Sequence, residues 1–280
     1  MPELPEVETM RRGITGALGA RVVGVSKLRC SKKPIDISPG IAQFRRRVQG
    51  AQVADLGRAG KRVVIWLDTG DAIVIEPRMT GLVLTVDPPT AEHLRWCLEL
   101  AGGSVSEIYY WDRRGLGNVR LFSAEEYSKQ FGPEKLGPDA LTITAEAFRE
   151  KLSRSQREIK PAMLDQRAVA GIGNLYASEI LHVAGIHPQR RCSAMNTRQW
   201  QALTDATHRV LADAIRYEGS TLGDGTYRNA LNQQGSYQNE RRVYNRVDKP
   251  CPRCRTSKIV RIVQTQRSTF FCKQCQKRSG

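Results

Sequence analysis

The sequence predicts a multi-domain α+β chain, in which one helix is followed by a β-sandwich or barrel, a helical segment and a small cysteine-rich unit. Three observations predict this class. Short apolar or alternating runs fill residues 22–111, a helical period begins at Thr144, and two Cys-x2-Cys pairs stand near the C-terminus. With 280 residues, the chain is long enough to bury two or three cores.

The charge balance favours a polyanionic partner. Forty-four lysines and arginines stand against 28 aspartates and glutamates, giving a net charge of +16 and an isoelectric point near 9.9. Nucleic acid is the commonest partner of so basic a chain. A membrane surface is the competing partner, but the sequence has no long apolar run and no evident basic amphipathic helix.

The cysteines indicate a reducing compartment. There are seven, an odd number, and four of them cluster at the C-terminus, which is not the pattern of a disulfide framework. We expect Cys30, Cys97 and Cys192 to be ordinary reduced thiols. Because the N-terminus is acidic and has no apolar signal core, we expect an intracellular, cytoplasmic protein.

The first nine residues, MPELPEVET, begin the predicted N-terminal helix and carry a candidate nucleophile. Removal of Met1 would leave Pro2 as a terminal secondary amine, a group with a usable neutral fraction because α-amino groups titrate near ~8. Such an amine can attack an electrophilic carbon and form an iminium. Glu3 and Glu6 are carboxylates placed to move protons beside it. The competing interpretation is a simple helix start with Pro5 in its first turn, and both can hold.

The β-rich part follows this helix. Strands are predicted over 22–25, 62–67, 72–76, 95–100 and 105–111, with hairpin turns at 68–71 and 102–103. A basic turn over 57–62 contains Lys61, which could equally be a solvated hairpin lysine. Two Gly-Pro breaks mark residues 131–141 as a linker.

The helical segment comes next. Helices are predicted over 145–152, 159–166 and 174–184, with a fourth from 197; Thr144, Asn174 and Thr197 are expected to be N-caps. The glycine turn 171–173 ahead of Asn174 suits a phosphate, although such a turn alone is a weak signal. Residues 219–237 form a loop long enough to be functional.

The C-terminal cysteines predict a metal site. Cys251, Cys254, Cys272 and Cys275 form two Cys-x2-Cys pairs with 17 residues between them, the spacing of a structural Zn²⁺ site with four thiolates. Alternating segments 259–264 and 269–271 predict a hairpin whose tip is 266–268. The metal would hold a basic hairpin that binds polyphosphate.

These motifs together resemble the bacterial formamidopyrimidine-DNA glycosylases, above all in MPELPEVET, and the resemblance extends over nearly the whole chain. It implies a bifunctional DNA glycosylase and abasic-site lyase for oxidised purines, namely 8-oxoguanine and formamidopyrimidines. The expected protein is a monomer with one structural Zn²⁺, acting on double-stranded DNA of the bacterial nucleoid. The implied domains are a catalytic β-sandwich (1–130), a linker (131–141), a helix-two-turn-helix domain with a lesion-capping loop (142–237) and a zinc finger (238–280).

The resemblance also implies roles for single residues. Pro2 would attack the sugar, Glu3 would transfer a proton to the sugar ring, and Lys61 would contact phosphate beside the flipped nucleotide. The DNA-binding residues would be Asn174 and Arg267 at the backbone, Lys160 close to the lesion, and Met79, Arg114 and Leu116 in the gap left by the flipped base. Thr221 and Tyr237 would be contacts of the capping loop.

The chain departs from the family pattern in the gap-filling segments. Arg113 stands where the family has proline, Gly115 where it has a second arginine, and Leu116 where it has an aromatic residue; Glu76 and Pro77 also differ. Without the resemblance, Met79 and Leu116 would be interpreted as core residues. Lesion discrimination could therefore differ, whereas the core chemistry is not put in doubt.

Alternative functions remain open from the sequence. An endonuclease VIII-like enzyme for oxidised pyrimidines is one, although Leu4 and the zinc finger argue against it. A non-catalytic zinc-ribbon protein that binds nucleic acid is another. A structural role in ribosome or transcription assembly would leave the N-terminal and glycine-turn motifs unexplained.

Overall fold

The computed structural model describes residues 2–221 and 227–278, which form two compact units. The first comprises Met1–Gly132 and Ile215–Gln238, and the second comprises Pro133–Ala214 and Asn239–Gly280. In the part of the chain so described, no helix combines the length and the apolarity needed to cross a membrane.

The first unit is a β-sandwich with a helix against it. Helix α1 (Leu4–Gly13) begins at the N-cap Glu3, and Pro5 lies in its first turn, where a missing N–H costs nothing. One sheet has the order β1 (Arg21–Lys27), β7 (Leu94–Ala101), β8 (Glu107–Asp112), β6 (Gly81–Leu84). The other has the order β2 (Asp36–Ser38), β9 (Asn118–Phe122), β5 (Ala72–Glu76), β4 (Val63–Leu67), β3 (Val53–Arg58). Only β2 and β9 pair in parallel among these strands.

The sandwich core contains residues from both sheets and from α1. Val7 of α1, Val25 and Leu98 of the four-stranded sheet and Ile65 and Ile73 of the five-stranded sheet are all fully buried in one cluster. Burial of such side chains stabilises the fold by about 1.5–3 kcal/mol each. The predicted turns at 68–71 and 102–103 are confirmed, with Gly70 and Gly102 at positive φ.

Sequence reasoning missed several elements of this unit. Strands β2, β3, β6 and β9 were not predicted, because they are short or break the alternation with polar residues. Helices α2 (Ile41–Val48) and α3 (Ala124–Phe131) were also missed. Helix α3 has a clear start signal, since Ser123 and Glu126 form a capping box.

The helices of the second unit follow the predicted order. They are α4 (Ala145–Leu152), α5 (Ile159–Met163), α6 (Asn174–Ala184) and the beginning of α7 (Thr197–Arg216). Thr144 caps α4 as predicted. Two caps were wrong by one residue. Gly173 is the N-cap of α6, and Asn196 Oδ1 accepts from Gln199 N at the start of α7.

The C-terminal hairpin is tighter than predicted. It consists of β10 (Ile259–Gln264) and β11 (Arg267–Cys272), paired antiparallel with Gln264 opposite Arg267. Arg267 and Ser268 are therefore strand residues, and the predicted tip at 266–268 was wrong. The connection is the two-residue turn Thr265–Gln266, in which both residues have positive φ, as a tight hairpin requires.

Candidate active site and nucleic-acid interface

Pro2 lies buried at the start of α1, next to two buried carboxylates. Glu3 and Glu6 are 4% and 3% exposed. They form a reciprocal capping box, in which Glu6 Oε2 accepts from Glu3 N at 2.8 Å and the Glu3 side chain accepts from Glu6 N. The same two side chains therefore fix the backbone that carries the Pro2 nitrogen.

A distant segment of the same unit packs on this helix start. Glu6 Oε1 accepts from Ser220 N at 2.8 Å. The Glu6 carboxylate therefore accepts from two backbone N–H groups, one at the helix start and one in the distant segment. Tyr227 Oη donates to Glu218 O at 3.0 Å and lies 3.4 Å from Glu6 O. Burial raises the pKa of Tyr227 well above its ordinary value, so this phenol stays protonated and remains a donor.

The hairpin that carries Lys61 is tied to the same helix by Glu8. Lys61 lies partly exposed between β3 and β4. Arg58 at the base of this hairpin contacts Glu8 Oε2 at 3.3 Å, and Arg11 and Arg12 contact Glu8 Oε1 at 2.8 and 2.9 Å. Burial alone would raise the pKa of Glu8, but the hydrogen bonds from Arg11 and Arg12 and the charges of the arginines lower it to about 2.

The predicted gap-filling residues lie at the surface. Met79 and Leu116 are 38% and 39% exposed, so the interpretation of either as an ordinary core residue was wrong. Arg114 is also exposed. The loops that carry these residues are brought together by a hydrogen bond from Thr80 Oγ1 to Asp112 Oδ1 at 2.5 Å.

Asp112 organises the loop that presents Arg114 and Leu116. Its carboxylate is fully buried and accepts from Arg114 N at 3.1 Å, Leu116 N at 2.8 Å and Gly117 N at 2.9 Å. Gly115 has a φ of 61°, and an added Cβ would stand 2.4 Å from Lys33 O. The only sequence signal for this role is an aspartate ahead of a Gly-x-Gly turn, a common local cap.

The departure at Glu76 creates an ion-pair cluster behind Met79. Glu76 Oε1 lies 2.8 Å from Arg78 Nε, and Glu76 Oε2 lies 3.2 Å from Arg62 Nε. Arg78 has a φ of 53°, a conformation uncommon for a side chain of this size. Glu76 thus orients the residue that precedes Met79.

In the second unit, Lys160 joins the glycine turn to the zinc hairpin. Its side chain is buried, and Nζ lies 2.6 Å from Asn174 Oδ1, 2.8 Å from Thr269 Oγ1 and 3.1 Å from Ser268 O. Asn174 Nδ2 also donates to Ser268 O at 3.0 Å. Arg267 is exposed at the start of β11, directly before these two hairpin residues. Asn174 and the Arg267 segment are therefore held in one hydrogen-bonded cluster.

The four C-terminal cysteines converge as a metal site requires. Their Sγ atoms all lie within 4.8 Å of one another, and the distances Cys251–Cys275 and Cys254–Cys272 are both 3.8 Å. A tetrahedron with metal–sulfur bonds of about 2.3 Å has edges of about 3.8 Å, so the donor set fits Zn²⁺. Four thiolates leave no open position for water, and the ion is structural.

A buried glutamate anchors the zinc unit to α6. Glu179 is fully buried, and its carboxylate accepts from the backbone N–H groups of Arg242, Val243 and Tyr244 at 2.8–2.9 Å. Val243 belongs to the small core that also holds Cys251 and Cys272. Sequence reasoning did not find this anchor, since its partners are more than 60 positions away.

The predicted capping-loop residues have internal partners. Thr221 Oγ1 donates to Tyr227 O at 2.9 Å, and Tyr237 is fully buried. The centre of the predicted loop, residues 222–226, lies outside the described residues.

Comparison with known families matches all three parts of the chain. The formamidopyrimidine-DNA glycosylase N-terminal domain matches residues 1–119, and the H2TH domain of the same glycosylase matches residues 132–225. The zinc finger found in FPG and IleRS matches residues 248–278. The order of sandwich, helix-two-turn-helix and zinc finger is that of one class of DNA glycosylases.

Full-length relatives share this order. The formamidopyrimidine-DNA glycosylase of Chloroflexus aggregans is 40% identical over 99% of this chain and 98% of its own length. The glycosylase of the same name from Streptococcus pyogenes serotype M18 is 38% identical, with 99% of each chain covered. The chain belongs to the formamidopyrimidine-DNA glycosylase family.

Solved structures of the family superpose closely. The Lactococcus lactis Fpg in complex with DNA containing an abasic site has a TM-score of 0.84 at 29% identity, covering 99% of this chain and all of that one. A variant of the same enzyme bound to DNA containing Fapy-dG has a TM-score of 0.85 at 30% identity, with the same coverage. The predicted fold class is confirmed, and both solved relatives bind damaged DNA.

Proposed function

We propose that this protein is a bifunctional DNA glycosylase and abasic-site lyase of base excision repair, acting on 8-oxoguanine and formamidopyrimidines in duplex DNA. The observation that supports it most directly is the position of Pro2, buried beside the Glu3–Glu6 capping box at the head of α1. A nucleophilic amine needs a fixed position and a nearby proton acceptor, and this arrangement supplies both.

The proposed chemistry runs through Pro2. With Met1 removed, the Pro2 nitrogen attacks C1′ of the flipped nucleotide, and the glycosidic bond breaks with its electron pair leaving on the base. Glu3 takes up the proton that the nitrogen loses and delivers it to the ring oxygen as the sugar opens to an iminium. This cation acidifies the C2′ protons, so that the 3′ phosphate leaves by β-elimination and the 5′ phosphate by δ-elimination.

The remaining predicted residues would bind the DNA. Lys61 contacts phosphate beside the flipped nucleotide, and the exposed Met79, Arg114 and Leu116 fill the space that the base vacates. In the second unit, Asn174 and Arg267 bind phosphates of the DNA backbone. Lys160, predicted to lie close to the lesion, would act there by holding Asn174, the Ser268 carbonyl and the Thr269 hydroxyl in place.

The domain assignment is part of this proposal. It comprises a catalytic domain over 1–130, a linker over 131–141, a DNA-binding domain over 142–237 and a zinc finger over 238–280. The enzyme acts as a monomer, because a single lesion needs only one copy of the protein. It acts in the bacterial cytoplasm on nucleoid DNA, and the net charge of +16 supports DNA binding.

The proposal is tested by trapping the iminium. The purified protein is incubated with a duplex containing 8-oxoguanine opposite cytosine, borohydride is added, and the cross-link is mapped by mass spectrometry. We expect a reduced adduct on Pro2 and strand cleavage in the untreated sample. An adduct on an internal lysine would overturn the assignment of the nucleophile.

Two further arms separate the alternative functions. A Pro2→Gly variant should bind the duplex with unchanged affinity and cleave it far more slowly, whereas loss of binding together with activity would contradict the role of Pro2. A duplex containing thymine glycol tests the endonuclease VIII-like specificity. Tight binding of all duplexes with no adduct would indicate a non-catalytic DNA-binding protein.

A further inference from the structure

A buried histidine that has no part in the proposed chemistry contacts the zinc site. His182 lies near the end of α6, is 2% exposed, and its Nε2 is 3.3 Å from Cys251 Sγ. Cys251 is itself fully buried. The contact joins residues 69 positions apart in the chain, and both belong to the second unit.

The state of the sulfur decides which atom holds the shared hydrogen. A cysteine bound to zinc is a thiolate, which accepts hydrogen bonds and has no proton to donate. The hydrogen therefore belongs to His182 Nε2, and the neutral ring then has a bare Nδ1. In agreement, Nδ1 is buried and has no hydrogen-bond partner among the residues that the structure describes. A proton on Nδ1 would bury an unsatisfied donor and turn a lone pair toward the sulfur anion.

The second buried histidine of this unit has a different environment. His187 Nδ1 accepts from Gln189 N at 3.2 Å, and its ring packs edge-on against Phe271 with centroids 4.8 Å apart. His187 thus has the local contacts expected of a core histidine. The contact of His182 with a metal-binding sulfur is specific to its position on α6.

We propose that His182 is a positioning residue of the zinc centre, which donates Nε2–H to Cys251 Sγ. The hydrogen bond holds the first cysteine pair against α6, in the same unit as the Glu179 anchor. It also withdraws charge from the thiolate, which makes Cys251 less reactive toward alkylating agents and oxidants. Removal of such partners of metal ligands typically weakens metal binding by about 10–100-fold.

The test uses full-length protein and three variants. His182→Phe removes the donor at similar size, His182→Gln retains an N–H donor, and His208→Phe changes a half-buried histidine of α7, outside the cysteine-bearing zinc unit. Zinc affinity is measured by competition with a chromogenic chelator, and the sulfur-to-metal charge-transfer bands are recorded with Co²⁺ in place of zinc.

We expect His182→Phe to weaken zinc binding by about 10–100-fold and to shift the charge-transfer bands to longer wavelength, because sulfur orbitals lose a stabilising proton. His182→Gln should keep most of the wild-type zinc affinity and most of the wild-type band position. His208→Phe should match the wild type in both measurements. Unshifted bands in His182→Phe, or equal weakening in the Phe and Gln variants, would overturn the proposal and leave only a packing role.

A measurement on the unaltered protein covers the case in which a variant fails to fold. Imidazole ¹⁵N–¹H correlation NMR of the zinc-loaded protein reports which ring nitrogen is protonated. Protonation of His182 at Nε2 is expected, and protonation at Nδ1 alone would contradict the hydrogen bond. None of these readouts depends on lesion chemistry, so their failure is distinguishable from failure of the proposed glycosylase activity.

Discussion

Lys160 Nζ lies 2.6 Å from Asn174 Oδ1, although the two residues belong to different helices of the second unit. The same ammonium reaches Thr269 Oγ1 and Ser268 O on the zinc hairpin. A buried lysine is stable here because three protein oxygens accept hydrogen bonds from its ammonium group. The contact makes the placement of Asn174 and of the hairpin depend on one charge.

Replacing Lys160 by Met should therefore impair both stability and DNA binding. The change removes the Lys160 donor from Asn174 Oδ1, Thr269 Oγ1 and Ser268 O, of which Ser268 O keeps its bond from Asn174 Nδ2. Each group left without a partner costs about 1–3 kcal/mol. We expect a lower Tm and a roughly tenfold weaker affinity for a duplex with an abasic-site analogue. Lys129→Met, at an exposed i,i+4 pair with Glu125, is the matched control. Unchanged affinity in folded Lys160→Met would refute the positioning role.

Arg267→Gln should weaken binding without selecting among DNA sequences. An arginine that neutralises one phosphate contributes about one unit to the slope of log affinity against log salt. The variant should lose that unit, with Kd raised by about the same factor for damaged and undamaged duplexes. Arg149→Gln, on the exposed side of α4, should retain the wild-type slope. If the slope of Arg267→Gln stays the same, this side chain does not contact phosphate.

Leu116→Ala should slow excision of a paired base more than cleavage of a ready-made abasic site. As the proposed wedge, Leu116 would compensate for unstacking, which costs a few kcal/mol only while a base must be extruded. We expect single-turnover excision of 8-oxoguanine to fall about tenfold, with a much smaller change on the abasic duplex. Val86→Ala is a close control, because Val86 is 38% exposed in the same unit and has no proposed role. Equal losses on both substrates would place Leu116 outside the flipping step.

Glu8→Gln should remove a pH-dependent part of the stability. The pKa of Glu8 falls from its ordinary 4.5 to about 2, so its stabilisation is present above pH 4.5 and is lost as the pH falls toward 2. With solvent screening of the partly exposed arginines, we expect about 1–2 kcal/mol at pH 7. Urea unfolding of wild type and variant at pH 7, 4.5 and 3 measures this. Glu125→Gln provides the surface control, and a stability difference that did not shrink at pH 3 would exclude the ion pairs as its source.

Local patterns predicted those parts of the molecule that depend on nearby residues. The Cys-x2-Cys pairs predicted the four metal ligands. Helical periodicity predicted α4 and α6 with the bounds that the structure shows. The N-terminal motif and the glycine turn drew attention to Pro2 and Asn174, whose roles stay predictions.

Contacts between distant residues were not predictable from one sequence. Thr80 meets Asp112 across 32 positions, and Lys160 meets Ser268 across 108, so no local pattern indicates either pair. The two-residue tip at Thr265–Gln266 was missed for another reason. Neither residue is the glycine or asparagine by which positive φ is usually recognised.

The buried Asp112 carboxylate has a kinetic consequence. Because it already holds the amides of Arg114, Leu116 and Gly117, the loop adopts its shape during folding and loses little entropy when DNA arrives. If Arg114 and Leu116 enter the base stack as proposed, such a rigid loop would probe successive base pairs without refolding at each one. Under the proposed function, the time spent at an undamaged pair would then be set by how readily that pair opens, and not by rearrangement of the loop.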